Sequence, residues 1–457
     1  MSVSHLFVLH KSKMSSALSI STRSDQRLTL ANYKTLSLAT LGGLLEFYDF
    51  IIFVFFANTI GQLFFPSQIQ DWVRQFQTFG IFAAGYLARP LGGVVMAHMG
   101  DLHGRKKMFT LSIFLMALPT LGIGLLPTYA ELGFLAPILL LLLRILQGVA
   151  VGGEVPGGWV FVSEHVRPSQ VGLACGIMTG GLTGGILLGS IIATALTTVL
   201  SHDQLMSFGW RIPFVLGGLF GLLSMYLRGL LAETPVFEEL KARRALASET
   251  PLKVVARNYP EQVIVSGLLT WMLSAAIIVV ILMTPALLEK GYGVSAAVAL
   301  RANSLAALGL TAGCVLVGRL TDRFGPGRVL LVGCPLLGVA TYLLYTVGPR
   351  DPGLITVIYA FAGLTVGIVA VVPYAMIVMF PPAIRYSGVS ISYNLAYAIF
   401  GGATPIVVAW LLTFDRLAPA NYVGSLCLLG AGTGLFLILN KSRIEGYRRA
   451  PERGAQA

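Results

Sequence analysis

Five ionisable side chains lie well inside apolar stretches in the first half of this sequence. They are Glu46, Asp49, Arg89, Arg144 and Glu154. Placing each of them near the middle of a lipid bilayer costs roughly 2.5–3.5 kcal/mol, so charges kept at such positions indicate a function. In a partly dry cavity, a carboxylate opposite a guanidinium is a proton switch, because the acid takes up a proton when its partner is lost or binds a substrate. A static ion pair that only holds helices together is the alternative.

Helical spacing places these charges relative to one another. Glu46 and Asp49 are three residues apart and therefore share one face of a helix. Arg144 lies near the centre of the fourth apolar stretch, and Gln147 follows it by about one helical turn. These positions predict that the charges of the first half project into a common interior.

The second half has aromatic and amide side chains where the first half has charges. Tyr393 and Tyr397 are four residues apart and flank Asn394, a spacing that predicts one helical face lining a cavity. Trp271 and Tyr374 lie in the seventh and tenth predicted spans. An alternative is that these aromatic rings lie at the lipid interface.

The elements that must carry these residues are membrane-spanning helices. Hydrophobic residues make up 55% of the 457, charged residues 11%, and the mean hydropathy is +0.78, whereas soluble domains carry about 25% charged residues. Continuous apolar runs long enough to cross a bilayer exclude soluble folds and alternating porin-type barrels. We predict an all-α integral membrane protein with twelve spans, at 35–58, 75–97, 108–127, 133–163, 171–199, 211–231, 261–285, 295–319, 328–348, 353–380, 386–413 and 420–440.

An internal repeat divides the chain into two halves. Residues 97–107 (AHMGDLHGRKK) and 318–328 (GRLTDRFGPGR) both place an acidic-glycine-basic turn between two apolar spans. Repeated halves of this kind build many transporters. We therefore predict two pseudo-symmetric six-helix bundles. The predicted division is 1–34 as a cytoplasmic tail, 35–231 as the first bundle, 232–259 as a cytoplasmic connector with a short helix, 260–440 as the second bundle, and 441–457 as a cytoplasmic tail.

The net charge of +12 reports topology rather than nucleic-acid binding. Most of the 32 Lys and Arg residues fall in the tails and in loops on one side of the predicted membrane, which the positive-inside rule assigns to the cytoplasm together with both termini. The four cysteines lie in apolar runs without metal-ligand spacing, so we expect no metal and no cofactor. The sequence has no hydrolase, metalloprotease or P-loop motif, which argues against an enzyme and leaves an ion gradient to drive any uphill transport.

Span five carries glycine at every fourth position, at residues 172, 176, 180 and 184. Small residues at this spacing allow helices to approach closely within lipid. This stripe has two possible interpretations: tight packing alone, or a surface on which rocking helices slide.

Motifs along almost the whole chain identify a resemblance to a known family. They are LEFYDF at 45–50, TFGIFAAGYLARPLGG at 78–93, GDLHGRK at 100–106, LPTY at 126–129, RILQGVAVGGE at 144–154, GWRIPF at 209–214, ETPVF at 233–237 and RYSGVSISYN at 385–394. In this order they resemble a major facilitator superfamily transporter, most closely the metabolite:proton symporters. The resemblance implies twelve helices around a central site exposed to alternate sides, and import of small organic acids or zwitterions with a proton.

Three groups of site residues follow from the buried charges and this resemblance. The proton-coupling candidates are Glu46, Asp49, Arg144 and Glu154. The substrate-binding candidates are Arg89, Arg144, Gln147, Trp271, Tyr374, Tyr393, Asn394 and Tyr397. The resemblance implies a cytoplasmic gate, in which acids at helix ends pair with basic residues; its candidates are Asp101, Gly104, Arg105, Lys106, Asp322, Arg323 and Gly325.

Some positions depart from the pattern of the family. Ala97 replaces the first glycine of the gate motif, and the second copy has Pro326 where the first has Arg105, which predicts a weaker second gate. Val171 stands where an arginine is common, and the C-terminal tail has no heptads for an osmosensing coiled coil. A compatible-solute osmosensor is therefore disfavoured.

The sequence predicts a monomeric symporter in a bacterial inner membrane that takes up a small carboxylate-bearing metabolite with protons. Its partners are that substrate, protons and the lipid bilayer. A proton-coupled antiporter that exports metabolites or drugs is the nearest alternative, disfavoured because span five lacks the proline-bearing glycine motif common in that group. A non-transporting membrane sensor on a transporter scaffold is the second, and no soluble signalling domain is visible for it.

Overall fold

The computed structural model describes residues 30–243 and 251–440, which fold into helices and contain no strand. The predicted tail 441–457 and residues 1–29 of the predicted N-terminal tail lie outside these ranges. Residues 30–34 belong to the first helix instead, which begins at Leu30. Within the described residues, twelve helices are long and apolar enough to cross a bilayer, which confirms the predicted number.

Spans 1–6 form the first bundle. Their helices are Leu30–Phe55, Asp71–His103, Arg105–Leu125, Leu135–Glu164, Val171–Val199 and Ile212–Gly229. Short helices connect them at Ala57–Phe64, Tyr129–Leu132 and His202–Ser207, with single 3-10 turns at Pro168–Gln170 and Gly209–Arg211. The second helix runs several residues beyond the predicted boundary, so Asp101 lies in its last turn rather than in a loop.

The connector between the bundles carries two short helices, Pro235–Ala242 and Pro251–Asn258. Thr234 caps the first of them by accepting a hydrogen bond from the Phe237 backbone N–H. The sequence predicts one helix in this region. The second is a finding of the structure.

Spans 7–12 form the second bundle, and three of them are not continuous α-helices. Span 7 consists of Pro260–Ala275, a π-helical segment Ala276–Met283, and Thr284–Tyr292. Spans 8 and 9 are Ala296–Phe324 and Pro326–Thr346, followed by a 3-10 turn at Gly348–Arg350. Span 10 is Pro352–Val366, Gly367–Ala370 in 3-10 form, and Val371–Met379. After a 3-10 turn at Pro382–Ile384, span 11 is Arg385–Ala396, a π-helical segment Tyr397–Gly401, and Gly402–Leu411; span 12 is Ala418–Leu439.

Hydroxyl groups stabilise the π-helical segment of span 7 by donating hydrogen bonds to its carbonyl groups. Thr284 donates through Oγ1 to the carbonyl of Val279 at 2.8 Å, and Tyr359 of span 10 donates to the carbonyl of Val280 at 2.7 Å. The Tyr359 hydroxyl also lies 2.6 Å from Oδ1 of Asn303. These contacts compensate for the hydrogen bonds that a π-helical segment rearranges.

The two bundles meet where glycines allow backbones to touch. A Cβ added to Gly172 or Gly176 of span 5 would lie 2.5 Å from the carbonyl oxygen of Gly318 or Cys314 in span 8. Other glycines of span 5 pack against span 1. The glycine stripe therefore packs closely against two neighbours at once, which confirms the predicted close approach.

Candidate functional site

Two carboxylates and one arginine meet between spans 1, 4 and 6, and a third carboxylate, Asp49, lies three residues from one of them on span 1. We name Glu46, Asp49, Glu154 and Arg228 the acid cluster. Arg228 Nη2 lies 2.8 Å from Glu46 Oε1 and 3.4 Å from Glu154 Oε1. Nη1 of Arg228 donates to the Phe109 carbonyl at 2.7 Å, and the guanidinium lies over the ring of the same phenylalanine. One buried cation is therefore shared by two carboxylates from two different helices.

Asp49 is the member of the acid cluster without a cation. Its side chain is buried, and neither carboxylate oxygen has a hydrogen-bond partner among the described residues. It packs against Gly217 of span 6, where any larger side chain would occupy its place. With all its groups ionised, the cluster would hold three negative charges against one positive charge.

Arg144 is held inside the first bundle by neutral groups. Its Nη1 donates to Gln147 Oε1 at 2.7 Å and to the Phe50 carbonyl at 3.4 Å. The guanidinium carbon lies 4.8, 4.4 and 5.2 Å from the ring centres of Phe50, Phe53 and Phe82. Nε and Nη2 have no partner among the described residues. We name this surrounding the phenylalanine cage.

The arginine that pairs with the acids is therefore not the one that the sequence pattern favours. Glu46 and Glu154 bind Arg228, and the ion pairs of the described residues do not include Arg144. Gln147 bridges Arg144 to span 3 by donating to Thr120 Oγ1 at 2.7 Å. Arg228 escapes the sequence argument because it lies close to the predicted end of span 6, where a basic residue is ordinary.

Arg89 occupies a cage of tyrosines between the two bundles. Its guanidinium carbon lies 5.6 Å from the ring centre of Tyr86 in span 2, and 5.1 and 4.3 Å from those of Tyr393 and Tyr397 in span 11. Nε of Arg89 lies 3.4 Å from Asn394 Oδ1, while Nη2 has no partner among the described residues. We name Tyr86, Tyr393 and Tyr397 the tyrosine cage.

Span 11 is hydrogen-bonded to the first bundle beside this cage. Asn394 donates through Nδ2 to the Gly152 carbonyl at 2.6 Å, and Ser390 donates to the Gly93 carbonyl at 2.9 Å. Tyr386 donates to the Gly153 carbonyl at 2.5 Å. The structure thus brings Arg89, Asn394 and the two predicted tyrosines of span 11 together.

The other two predicted substrate residues lie elsewhere. Trp271 stacks on Phe400 with ring centres 4.2 Å apart and donates to the Tyr422 hydroxyl at 2.9 Å, contacts that stay inside the second bundle. Tyr374 lines a cavity of about 370 Å³ formed mainly by residues 321–328 of the second repeat. The sequence pattern cannot distinguish these tyrosine and tryptophan side chains from those of the cage, because all of them lie within apolar spans.

The first acidic-glycine turn carries an ion-pair network. Arg105 lies 3.2 Å from Asp101 and 3.4 Å from Glu164, and Glu164 also pairs with Arg385 of span 11 at 3.1 Å. Asp101 accepts a hydrogen bond from the Ser387 backbone N–H at 2.9 Å. This network ties spans 2, 3 and 4 to the start of span 11.

A second acid holds the turn itself. Glu233 of the connector accepts hydrogen bonds from the backbone N–H groups of Arg105 and Lys106 at 3.1 Å. The backbone N–H groups are free to bind it because Gly104 ends the preceding helix with φ 116°, a conformation that favours glycine. Glu164, Glu233 and Arg385 are missed by the sequence argument, since charged residues at span ends are usually solvated.

The second turn uses its aspartate differently. Asp322 accepts hydrogen bonds from the backbone N–H groups of Gly172 and Leu173, both at 2.7 Å, at the start of span 5. Gly325 has φ 83°, and Arg323 lies over the ring of its neighbour Phe324. Each turn therefore caps a helix of the opposite bundle, but of the two turns only the first has ion pairs among the described residues.

Comparisons with known proteins agree with this architecture. Residues 39–405 match the family model described as Major Facilitator Superfamily. A protein of Staphylococcus aureus (strain COL) that carries the provisional name proline/betaine transporter is 34% identical over 414 residues, which cover 89% of this chain and 88% of that protein. The proline/betaine transporter of Salmonella typhimurium (strain LT2) is 30% identical, with 88% of this chain and 82% of that protein covered. A solved structure of the proton:xylose symporter XylE superposes with a TM-score of 0.74 at 18% identity, covering 89% of this chain and 95% of that one.

Proposed function

The chain belongs to the Major Facilitator Superfamily of transporters, and from this premise we propose that it is a proton-coupled symporter of a small carboxylate-bearing metabolite. The substrate is an organic acid or a zwitterion, taken up by alternating access. The protein crosses the inner membrane of a bacterium with both termini in the cytoplasm. The basic residues beside the two acidic-glycine turns support this orientation, because they mark the cytoplasmic side.

The observation that carries the proposal is the separation of buried charge within the first bundle. Arg89 and Arg144 are buried with aromatic rings and neutral acceptors as their neighbours, while the acid cluster has more carboxylates than cations. Uncompensated buried charge costs several kcal/mol per ion. A substrate carboxylate lowers that cost at the arginines, and a proton lowers it in the acid cluster. Binding both ligands together is then more favourable than binding either alone.

We assign the transported proton to Asp49. Glu46 and Glu154 already share Arg228, whereas Asp49 is buried without any hydrogen-bond partner among the described residues. An acid in this position gains most from binding a proton. Its contact with Gly217 of span 6 would let the protonated and ionised forms favour different packing of spans 1 and 6.

The contacts between the bundles support substrate access from the side opposite the turns. They extend from Asp101 and Ser387 at the turn end, through Gly153 and Tyr386, to the stacked rings of Tyr86 and Tyr397, whose centres are 5.5 Å apart. In this arrangement the cytoplasmic side is closed. Opening it requires breaking the ion pairs of the first turn.

Reconstituted transport tests the proposal. In proteoliposomes with an alkaline interior, the wild-type protein should accumulate its substrate, and Asp49→Asn should exchange substrate across the membrane without accumulating it. Asp203→Asn, at an exposed aspartate in the connection after span 5, is the matched control and should behave as wild type. Accumulation that ignores the pH gradient would refute proton coupling. Accumulation only with the opposite gradient would indicate an antiporter, and the absence of any flux would indicate a sensor.

A further inference from the structure

A histidine ends span 4 beside the first turn. His165 follows Glu164 directly. Its ring packs against that of Phe161 with the ring centres 4.3 Å apart, and Nδ1 lies 2.8 Å from the Phe161 carbonyl oxygen. A carbonyl oxygen only accepts hydrogen bonds, so in the neutral ring Nδ1 carries the proton and donates it. Nε2 is buried and has no hydrogen-bond partner among the described residues, and it is the nitrogen that can bind a further proton.

The charged groups that act on this ring come from span 4 and from the connector. Glu164 is the neighbour on span 4, and Glu233 of the connector interacts with the ring through its carboxylate and its backbone carbonyl. Span 1 contributes the uncharged Asn32, which donates through Nδ2 to the His165 carbonyl at 2.5 Å. The ring therefore lies between two acids, and it contacts span 1 only through the backbone of its own residue.

The connector is attached to the first bundle at the same point. Glu233 accepts hydrogen bonds from the backbone N–H groups at the start of span 3, and Thr234 donates through Oγ1 to Glu164 Oε2 at 2.7 Å. Glu164 also pairs with Arg105 and with Arg385 of span 11. The connector, the first turn and the contact between the bundles thus meet beside the histidine.

We propose that His165 is a second proton-binding site of this protein, and that a proton bound there detaches the connector from the first turn and loosens the closed side. The neutral ring stabilises the attached connector, and the charged ring favours a detached one. The site is distinct from Asp49. It responds to the pH of the compartment that the turns face.

The cost of burying a charged ring is the physical reason. An imidazolium has two N–H donors, whereas the described residues satisfy only the one at Nδ1. Burial lowers the pKa of His165 below its ordinary value of 6.5, and the carboxylates of Glu164 and Glu233 only partly oppose this shift. The neutral form therefore stabilises the attached connector above pH 6.5, and that stabilisation is lost as the pH falls below this value, because a detached connector lets water solvate the charged ring.

His103 provides the internal contrast at the same turn. It is the last residue of the span 2 helix, and its ring is exposed, with Nδ1 3.3 Å from the Met99 carbonyl oxygen. Water can solvate the charged form of this ring whether or not the connector is attached. Proton binding at His103 is therefore not coupled to the position of the connector.

Hydrogen exchange of the purified full-length protein, followed by mass spectrometry without substrate or gradient, tests the proposal. The reporters are peptides that contain the Arg105 and Lys106 amides or the connector helix Pro235–Ala242. Each rate is divided by the intrinsic exchange rate at the same pH, which leaves the protection. In wild type, protection should fall at least about fivefold between about pH 7.5 and about pH 5.5, the lower end of the cost of burying an unsatisfied polar group. Constant protection over this range would overturn the proposal without any variant.

Two substitutions assign the response to one histidine. His165→Gln keeps a donor for the Phe161 carbonyl but binds no proton in this pH range, so its protection should not change with pH. His103→Gln should respond as wild type does. A response that survives in His165→Gln would contradict the proposal and would point to the carboxyl groups of the first turn. A response lost equally in His103→Gln would also contradict it.

The outcome is separable from the test of the proposed function. A pH response of the connector without proton-driven uptake would remove the symporter and leave the His165 site. Proton-driven uptake by a protein whose connector keeps constant protection would remove the His165 site and leave the symporter.

Discussion

The two bundles share one architecture, yet they stabilise their interiors with different chemistry. In the first bundle, Arg228 binds Glu46 and Glu154, and Asp49, three residues from Glu46, is buried without a hydrogen-bond partner among the described residues. In the second bundle, the buried polar contacts that hold span 7 are made by neutral hydroxyl and amide groups. Interactions between neutral groups change little with proton binding, whereas those of the acid cluster depend on it. We infer from this difference that the first bundle is the part that responds to protons in the proposed mechanism, and that the second is its partner of fixed charge.

The largest effect that would test this contrast is expected at Arg228. Arg228→Gln leaves Glu46 and Glu154 buried without a cation, which should cost about 3–5 kcal/mol and lower the melting temperature sharply. Thermal unfolding of the purified protein measures it. Combining Arg228→Gln with Glu46→Gln and Glu154→Gln removes the uncompensated charge and should restore most of the loss. A single variant that melts like wild type would show that the ion pairs do not stabilise the first bundle.

The next effect distinguishes the two turns. Arg105→Gln removes the cation between Asp101 and Glu164 and should loosen the closed side, whereas Arg323→Gln, at an exposed arginine, should not. A buried reporter cysteine at position 387, introduced as Ser387→Cys, should react with a polar thiol reagent about tenfold faster in the Arg105 variant. This corresponds to roughly 1.4 kcal/mol lost from the closed state.

Equal labelling rates in the Arg105 and Arg323 variants would contradict the asymmetry of the turns. Whichever result the labelling gives, we expect Asp322 to stabilise the protein, because it accepts two backbone hydrogen bonds from the start of span 5. A helix cap of this kind contributes about 1 kcal/mol.

The smallest effect is expected in the second bundle. Tyr359→Phe removes the hydroxyl that binds Asn303 and the Val280 carbonyl, at a cost of about 1–2 kcal/mol for the acceptors left unsatisfied. Thermal unfolding at several pH values should show the same loss at each of them. A loss that varied with pH would place a titrating group in the second bundle and break the contrast.

Much of the architecture follows from the sequence, because each span can be recognised from its own apolar run. The twelve spans and the repeat at 97–107 and 318–328 need no long-range information. The same holds for Glu46, Asp49, Arg144 and Glu154, since a charge within an apolar run is visible locally. Tyr393 and Tyr397 were predicted from helical spacing to line a cavity, and they form two sides of the tyrosine cage.

The sequence could not show which charged or aromatic side chains contact one another in the fold. Arg228 pairs with Glu46 although almost the whole sequence of the first bundle separates them. No local feature of the sequence favours Arg228 over Arg144 as the partner. Tyr86 and Trp159 read as ordinary apolar residues until span 11 is placed against them. Glu164 and Glu233 lie at the ends of apolar segments, where charges are usually solvated, so their burial in the first turn required the tertiary structure.

Substrate-driven proton movement tests the central claim most directly. Proteoliposomes containing a pH-sensitive dye and no imposed gradient would receive glycine betaine, or the compound from a panel of organic acids and zwitterions that most raises the melting temperature. The account predicts that the lumen acidifies as substrate enters with the wild-type protein, and that Asp49→Asn abolishes the acidification while Asp203→Asn preserves it. Uptake by the wild-type protein without acidification, or acidification that persists in Asp49→Asn, would contradict it.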